Sequence, residues 1–248
     1  MKLEKANKTP NLVSKSLAFA VHLFSSLGLV AAILAMSAIA EKDSKTAMLW
    51  LFAALVVDGV DGTLARAFRV REILPDFDGK MIDTVVDFSN YAVVPAFFVY
   101  RFEVGGDAAS AFLACLIVVV SAIYYGKEGM VSDDYCFVGF PVMWNMVVFY
   151  LWFVFEFGGL ANAVIVAVAA VLHFVPVKFA YPSRALRLRG MTIVVTIIGL
   201  AVMPVIALSH PETGSVSKAV AIACLLYFAF IAFLDTLIPP AFDTTSKT

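Results

Sequence analysis

Charge is scarce in this chain, and so are the covalent devices that hold small folds together. Asp, Glu, Lys and Arg make up 15% of the 248 residues, against about 25% in a typical soluble domain. Only three cysteines are present, Cys115, Cys136 and Cys224. They stand apart with no CxxC spacing, so neither a disulfide framework nor a zinc site is indicated. There is no linker, internal repeat or low-complexity tract, which leaves one main domain. The net charge of −1 carries no electrostatic footprint for nucleic acid, and none is expected as a partner. Period-2 alternation is also missing, so a closed β-barrel is set aside.

What the chain has is apolar length. Hydrophobic residues reach 62%, in runs at Leu17–Ala40, Ala47–Leu64, Tyr91–Tyr100, Ala109–Tyr125, Phe140–Phe155, Leu160–Val177, Met191–Leu208 and Ala219–Ile238. Most approach the roughly 20 residues that cross a hydrocarbon core. The third is long enough only if it starts near Met81 and takes in Asp83 and Asp87. The expected fold is therefore all-α: a polytopic membrane domain over 17–240 with about eight transmembrane helices. A Lys-rich interfacial segment, 1–16, precedes it and a short tail, 241–248, follows. The first apolar run is too long for a signal-peptide core and reads as a first span.

Basic residues set the orientation. With the N-terminus inside, 14 of the 18 Lys and Arg fall on inside loops and ends, and only Lys42, Lys45, Arg101 and Lys218 fall outside. The positive-inside rule then predicts a cytoplasmic location for both termini. Inside loops are also the longer ones, at Ala67–Lys80, Gly126–Gly139 and Phe179–Gly190, which suits a site that meets a water-soluble reactant.

The informative charges lie between Asp58 and Asp87. The segment reads Asp58-Gly-Val-Asp61-Gly62-Thr-Leu-Ala65-Arg66, then twelve residues, then Gly79-Lys-Met-Ile-Asp83-Thr-Val-Val-Asp87. Asp58 and Asp61 are one helical turn apart, as are Asp83 and Asp87. Two antiparallel helices joined by a loop can aim all four carboxylates at one point. Oxygen-only ligands suit Mg²⁺ or Mn²⁺, and four carboxylates can hold two ions around a diphosphate. The bland reading is that these aspartates cap helices or pair with Arg66, Arg69, Arg71 and Lys80. A transporter is the rival from another class, but its acidic groups belong near the midplane.

This motif, Asp58-x-x-Asp61-Gly62-x-x-Ala65-Arg66 followed by Gly79-x-x-x-Asp83-x-x-x-Asp87, resembles the signature of the CDP-alcohol phosphotransferase family. The resemblance implies an integral membrane enzyme that transfers a phosphatidyl or similar group from a CDP-linked donor to an alcohol. The family pattern commonly has eight residues between the Arg and the next Gly, and this chain has twelve. That insert is similar to the branch that condenses CDP-diacylglycerol with free choline, releasing CMP. Leu74-Pro75, the Phe137–Asn145 stretch and the Phe174–Phe179 stretch extend the likeness over most of the chain.

By that resemblance Asp58, Asp61, Asp83 and Asp87 hold two divalent ions, Mn²⁺ or Mg²⁺, and Asp87 is also the catalytic base. Asp58, Gly62, Ala65, Arg66, Gly79 and Asp83 bind CDP-diacylglycerol. The resemblance further implies a homodimer in the bacterial inner membrane, with the site facing the cytoplasm. For the choline cation, aromatic faces are the expected cradle. Tyr91, Tyr124, Tyr125, Tyr135, Trp144 and Tyr181 lie at cytoplasmic ends. Tyr181, Trp144 and Tyr125 rank first, with Asn145 beside them, although interfacial aromatic belts need no ligand. Arg184, Arg187 and Arg189 fit a headgroup-facing patch, or the phosphate of a different acceptor such as glycerol phosphate or inositol phosphate. The same class also includes transfer to serine, and a reversed donor that joins CDP-choline to diacylglycerol.

Overall fold

The first two helices show how this sequence builds a bundle without a water-driven core. In a computed structural model that describes residues 11–132, 136–181, 185 and 187–238, α1 (Leu12–Ala40) and α2 (Ser44–Ala67) form an antiparallel hairpin. Their buried sides are rich in small residues: Ala18, Ser25, Gly28, Ala31, Ala32, Ala35 and Ala38 on α1, with Ala47 and Ala54 on α2. In lipid there is little hydrophobic drive between helices, so close backbone approach supplies the attraction. The opposite faces carry exposed Leu23, Leu27, Val30, Ile33 and Val56, the composition expected against acyl chains. The helix α1 starts earlier than the apolar run suggests, because Asn11 accepts the Ser14 amide at 2.8 Å and caps it. Asp43 caps α2 in the same way through Thr46 at 3.0 Å.

The third span, α3 (Gly79–Arg101), is continuous but not uniform. It is α-helical to Phe88, passes through a π-helical turn at Ser89–Val93, and resumes as α-helix at Val94. Beyond it come α4 (Asp107–Tyr125), α5 (Trp144–Phe155), α6 (Gly159–Leu172), α7 (Arg189–Ser209) and α8 (Ser215–Leu237). A second π segment occupies Tyr150–Phe155 within α5. Trp144, Phe98, Phe149 and Phe153 are fully buried at the centre.

Among the described residues six helices are long and apolar enough to cross a membrane, while α5 and α6 are shorter. Of the expected number of about eight transmembrane helices, six are supported by length, and the reason the other two are shorter lies in the backbone. The run from Phe140 does not become helical until Trp144. Gly139 sits at φ +95°, where an added Cβ would strike the His173 carbonyl. The run from Leu160 stops at Leu172, four residues ahead of Pro176, whose ring disfavours helix in the residue before it. Between these ends the amides of Gly139 and Phe140 donate to the Val177 and Leu172 carbonyls at 2.8 and 2.9 Å. The fold is also not purely α. Next to these bonds β1 (Cys136–Val138) pairs antiparallel with β2 (Lys178–Ala180), with Phe137 opposite Phe179. Three-residue strands inside loops leave no alternation to read. The expected tail 241–248 and most of the segment 1–16 lie outside the described residues.

Candidate active site

The loop between α2 and α3 is built to bring two acidic helices together. It leaves α2 at Phe68, turns through Arg69 in the left-handed region at φ 50°, and makes one helical turn at Val70–Ile73. Val70 is buried against Ala18 and Val21 of α1, with Leu64, Ala65, Ile73 and Leu74 around them. That small apolar cluster pins the loop to the bundle. Asp78 then caps α3, accepting the amides of Lys80 and Met81 at 3.0 and 3.2 Å. An added Cβ at Gly79 would sit 3.0 Å from His22 Cε1, so glycine there lets α3 start directly against α1.

On this frame Asp58, Asp83 and Asp87 each offer a carboxylate oxygen within 4.8 Å of the others. They lie up to roughly 12 to 14 Å along their helices from the ends at Ala67 and Gly79, set inside the bundle and partly buried. Asp61, one turn beyond Asp58, is buried at 8% exposure and is not among the three that converge. Among the described residues no Lys or Arg forms an ion pair with the triad. Arg69 instead pairs with Glu72, and Arg66 donates to Thr63 Oγ1 at 3.1 Å. The helix-capping role falls to Asp43 and Asp78. One oxygen of Asp87 is buried with no hydrogen-bond partner. Carboxylates this close repel by several kcal/mol even at an effective dielectric near 20. An orphaned buried oxygen within an all-oxygen donor set fits a hard divalent cation.

One neighbour steadies this cluster. The buried Tyr91 hydroxyl donates to Asp58 Oδ2 at 2.8 Å. In the sequence Tyr91 is legible only as an aromatic at the membrane interface. The spacing Asp83, Asp87, Tyr91 in steps of four is the signal that could have found it.

The residues expected around choline are spread more widely. Tyr125 packs edge-on against Phe88, the residue after Asp87, at 6.0 Å between ring centroids. Trp144 is sealed in the core, donates to Ser121 Oγ at 2.8 Å and stacks on His173 at 5.2 Å. That is a packing position, not a cradle open to a ligand. Asn145 is fully buried with both amide atoms unpartnered, and Trp144–Phe149 packs on the π turn of α3. Tyr181 stacks on Phe137 beside the small sheet at 5.1 Å. Of the arginine cluster, Arg187 is consumed by Asp235 at 2.9 Å and the Ile238 carbonyl at 2.6 Å. Asp235, 3% exposed, is thus one half of an ion pair. Tyr135 and Arg184 lie outside the described residues.

Fold and site together define a polytopic helical membrane protein with an acidic triad, able to hold a cation, enclosed between two of its spans. The chain is 38% identical over 222 residues to the phosphatidylcholine synthase of Agrobacterium fabrum, covering 90% of this chain and 92% of that one. It is 38% identical over 226 residues to the phosphatidylcholine synthase of Rhizobium meliloti, covering 90% and 92%. Identity reaches 42% over 184 residues with that of Mesorhizobium japonicum, covering 74% and 68%. The chain belongs to the phosphatidylcholine synthase family. No family model matches it.

Proposed function

We propose that this protein condenses CDP-diacylglycerol with choline to give phosphatidylcholine and CMP, by the metal-dependent chemistry of the CDP-alcohol phosphotransferases. The observation that carries the reading is the convergence of Asp58, Asp83 and Asp87 in a chain whose relatives bear the name phosphatidylcholine synthase. Asp58, Asp83 and Asp87, with Asp61 one turn further along α2, would hold two Mn²⁺ or Mg²⁺ ions. When bound, these offset charge on the donor diphosphate and on the leaving oxygen.

The chain's own residues do the rest. Asp87, with an oxygen free of protein partners, takes the proton of the choline hydroxyl, which must come within hydrogen-bond reach. The choline oxygen then bonds to the phosphorus that carries diacylglycerol, the bond from that phosphorus to the CMP oxygen breaks, and CMP leaves. Arg66 and the open backbone at Gly62 contact the donor head group. Gly79 and Ala65 act one step behind, by letting α3 and the loop pack closely. Tyr125, Asn145 and Tyr181 remain the candidates for the choline pocket, and the burial of Trp144 gives it a supporting place. The 14-to-4 bias of basic residues supports a site facing the cytoplasm from a bacterial inner membrane. A homodimer is part of the same reading.

The test is CMP release by the purified protein with CDP-diacylglycerol and Mn²⁺, offering choline, serine, glycerol 3-phosphate or inositol phosphate in parallel. Release with choline alone, reduced about 10²- to 10⁴-fold in Asp87→Asn, is the expected result. Release with another alcohol overturns the substrate. No release with any of them, followed by release from CDP-choline and diacylglycerol, reverses the donor. Silence in both directions returns the transporter.

A further inference from the structure

We infer that Tyr91 is a positioning residue of the cation site and that the π turn at Ser89–Val93 exists to deliver it. The inference rests on the metal reading above and deepens it. Asp83, Asp87 and Tyr91 are spaced by four residues. On a regular α-helix each step of four overshoots a full turn by about 40°, so a third member of the stripe drifts off the face. A π turn closes its hydrogen bonds one residue later, which takes up that overshoot at the place where it is needed. Tyr91 is thereby returned to the carboxylate face, where its hydroxyl reaches Asp58 Oδ2 on the neighbouring helix at 2.8 Å.

The turn is held from behind as well. Asn90, 1% exposed, donates to the Gly28 carbonyl of α1 at 2.9 Å and to the Val86 carbonyl at 3.0 Å. A Cβ on Gly28 would lie 2.4 Å from Val86 Cγ1. Glycine at that point lets α1 pack directly on the α-helical turn at Val86 that leads into the π segment. Gly28, Asn90 and Tyr91 thus form one chain of contacts that ends on a carboxylate oxygen. Tyr91 donates one hydrogen bond to Asp58, fixes its rotamer and leaves its other oxygen for a cation. Outer partners of this kind typically change metal affinity by about 10- to 100-fold.

The experiment compares full-length wild type, Tyr91→Phe and Tyr150→Phe in lipid nanodiscs. Tyr150 lies in the other π segment, and its hydroxyl donates to the Ala221 carbonyl at 2.8 Å, away from the triad. Mn²⁺ binding is titrated by electron paramagnetic resonance with no nucleotide or alcohol present. The Mn²⁺ dependence of CMP release and the metal-free melting temperature are then measured on the same samples. Tyr91→Phe is expected to raise the Mn²⁺ Kd about 10- to 100-fold, with its melting temperature near wild type and turnover recovered at high Mn²⁺. Tyr150→Phe is expected to bind Mn²⁺ as wild type does. An unchanged Kd in Tyr91→Phe, or an equal weakening in Tyr150→Phe, overturns the inference while leaving the metal site standing. A wild type that binds no Mn²⁺ overturns the metal reading and the inference with it.

Discussion

Two groups of carboxylates in the bundle are treated in opposite ways. At the end where α5 gives way to α6, Glu156 receives Lys218 at 3.1 Å and faces His210 at 3.4 Å, and Asp43 is committed to the first turn of α2. Between α2 and α3, Asp58, Asp83 and Asp87 face one another, with a tyrosine hydroxyl as their protein donor. Carboxylates that serve the fold have been given partners by the chain itself. The triad has been given mainly its own repulsion, and it is held together by the packing of α1, α2 and α3. The difference separates carboxylates that serve the fold from those left available to a cation, without reference to any relative. It also agrees with the general cost of ionisable groups within membranes, which are kept there mainly for a purpose.

Asp83→Asn attacks the comparison most directly. It removes one of three mutually repelling charges, so the melting temperature in the presence of a chelator should rise. CMP release should fall by at least about 10²-fold, the scale expected when an essential carboxylate is lost. A fall in metal-free stability would show that the triad is already satisfied within the protein. Arg187→Met tests the buried pair at the end of α8. It strands the Asp235 charge, at a cost of about 3 to 5 kcal/mol read as a lowered melting temperature, and Asp235→Leu added to it should recover most of the loss.

Asp43→Ala should cost about 1 kcal/mol as a lost helix cap. The hydrogen bonds from Thr46 hold the Asp43 carboxyl below its usual value. Its contribution is therefore complete above about pH 4 and is lost as pH falls through the lower, folded value. The stability difference between Asp43→Ala and wild type should shrink only in acid. Glu156→Gln is the smallest, a loss of about 0.5 kcal/mol for an exposed pair. Its sign, opposite to that of Asp83→Asn in chelator, is what sharpens the contrast.

Much of this was legible in the sequence because membranes enforce simple rules. Apolar length marked the long spans, and the spacing of Asp58, Asp61, Asp83 and Asp87 marked the two helices that meet. What escaped detection depends on contacts between distant segments. A π turn has no hydrophobic period of its own, so nothing around Ser89–Val93 announced it. Gly79 suggested room for a ligand, whereas its neighbour is His22. The pairing of Asp235 could not be read because its partner, Arg187, is 48 residues away. The short strands at Cys136–Val138 and Lys178–Ala180 draw their pairing from two different loops, and neither has enough residues to show alternation.

The shortness of α5 and α6 bears on how a water-soluble alcohol reaches carboxylates set below the membrane surface. Irregular backbone at hydrocarbon depth survives only where protein or water meets its polar groups. Here the amides of Gly139 and Phe140 are met by carbonyls at the end of α6 and beyond it. Where the two helices stop short, the chain lines the gap with its own paired backbone instead of leaving it to acyl tails. The helical turn Trp144–Phe149 that follows this corner packs on the π turn carrying Tyr91. The approach to the triad from that side is therefore bounded by protein backbone whose hydrogen bonds are already made, and not by lipid.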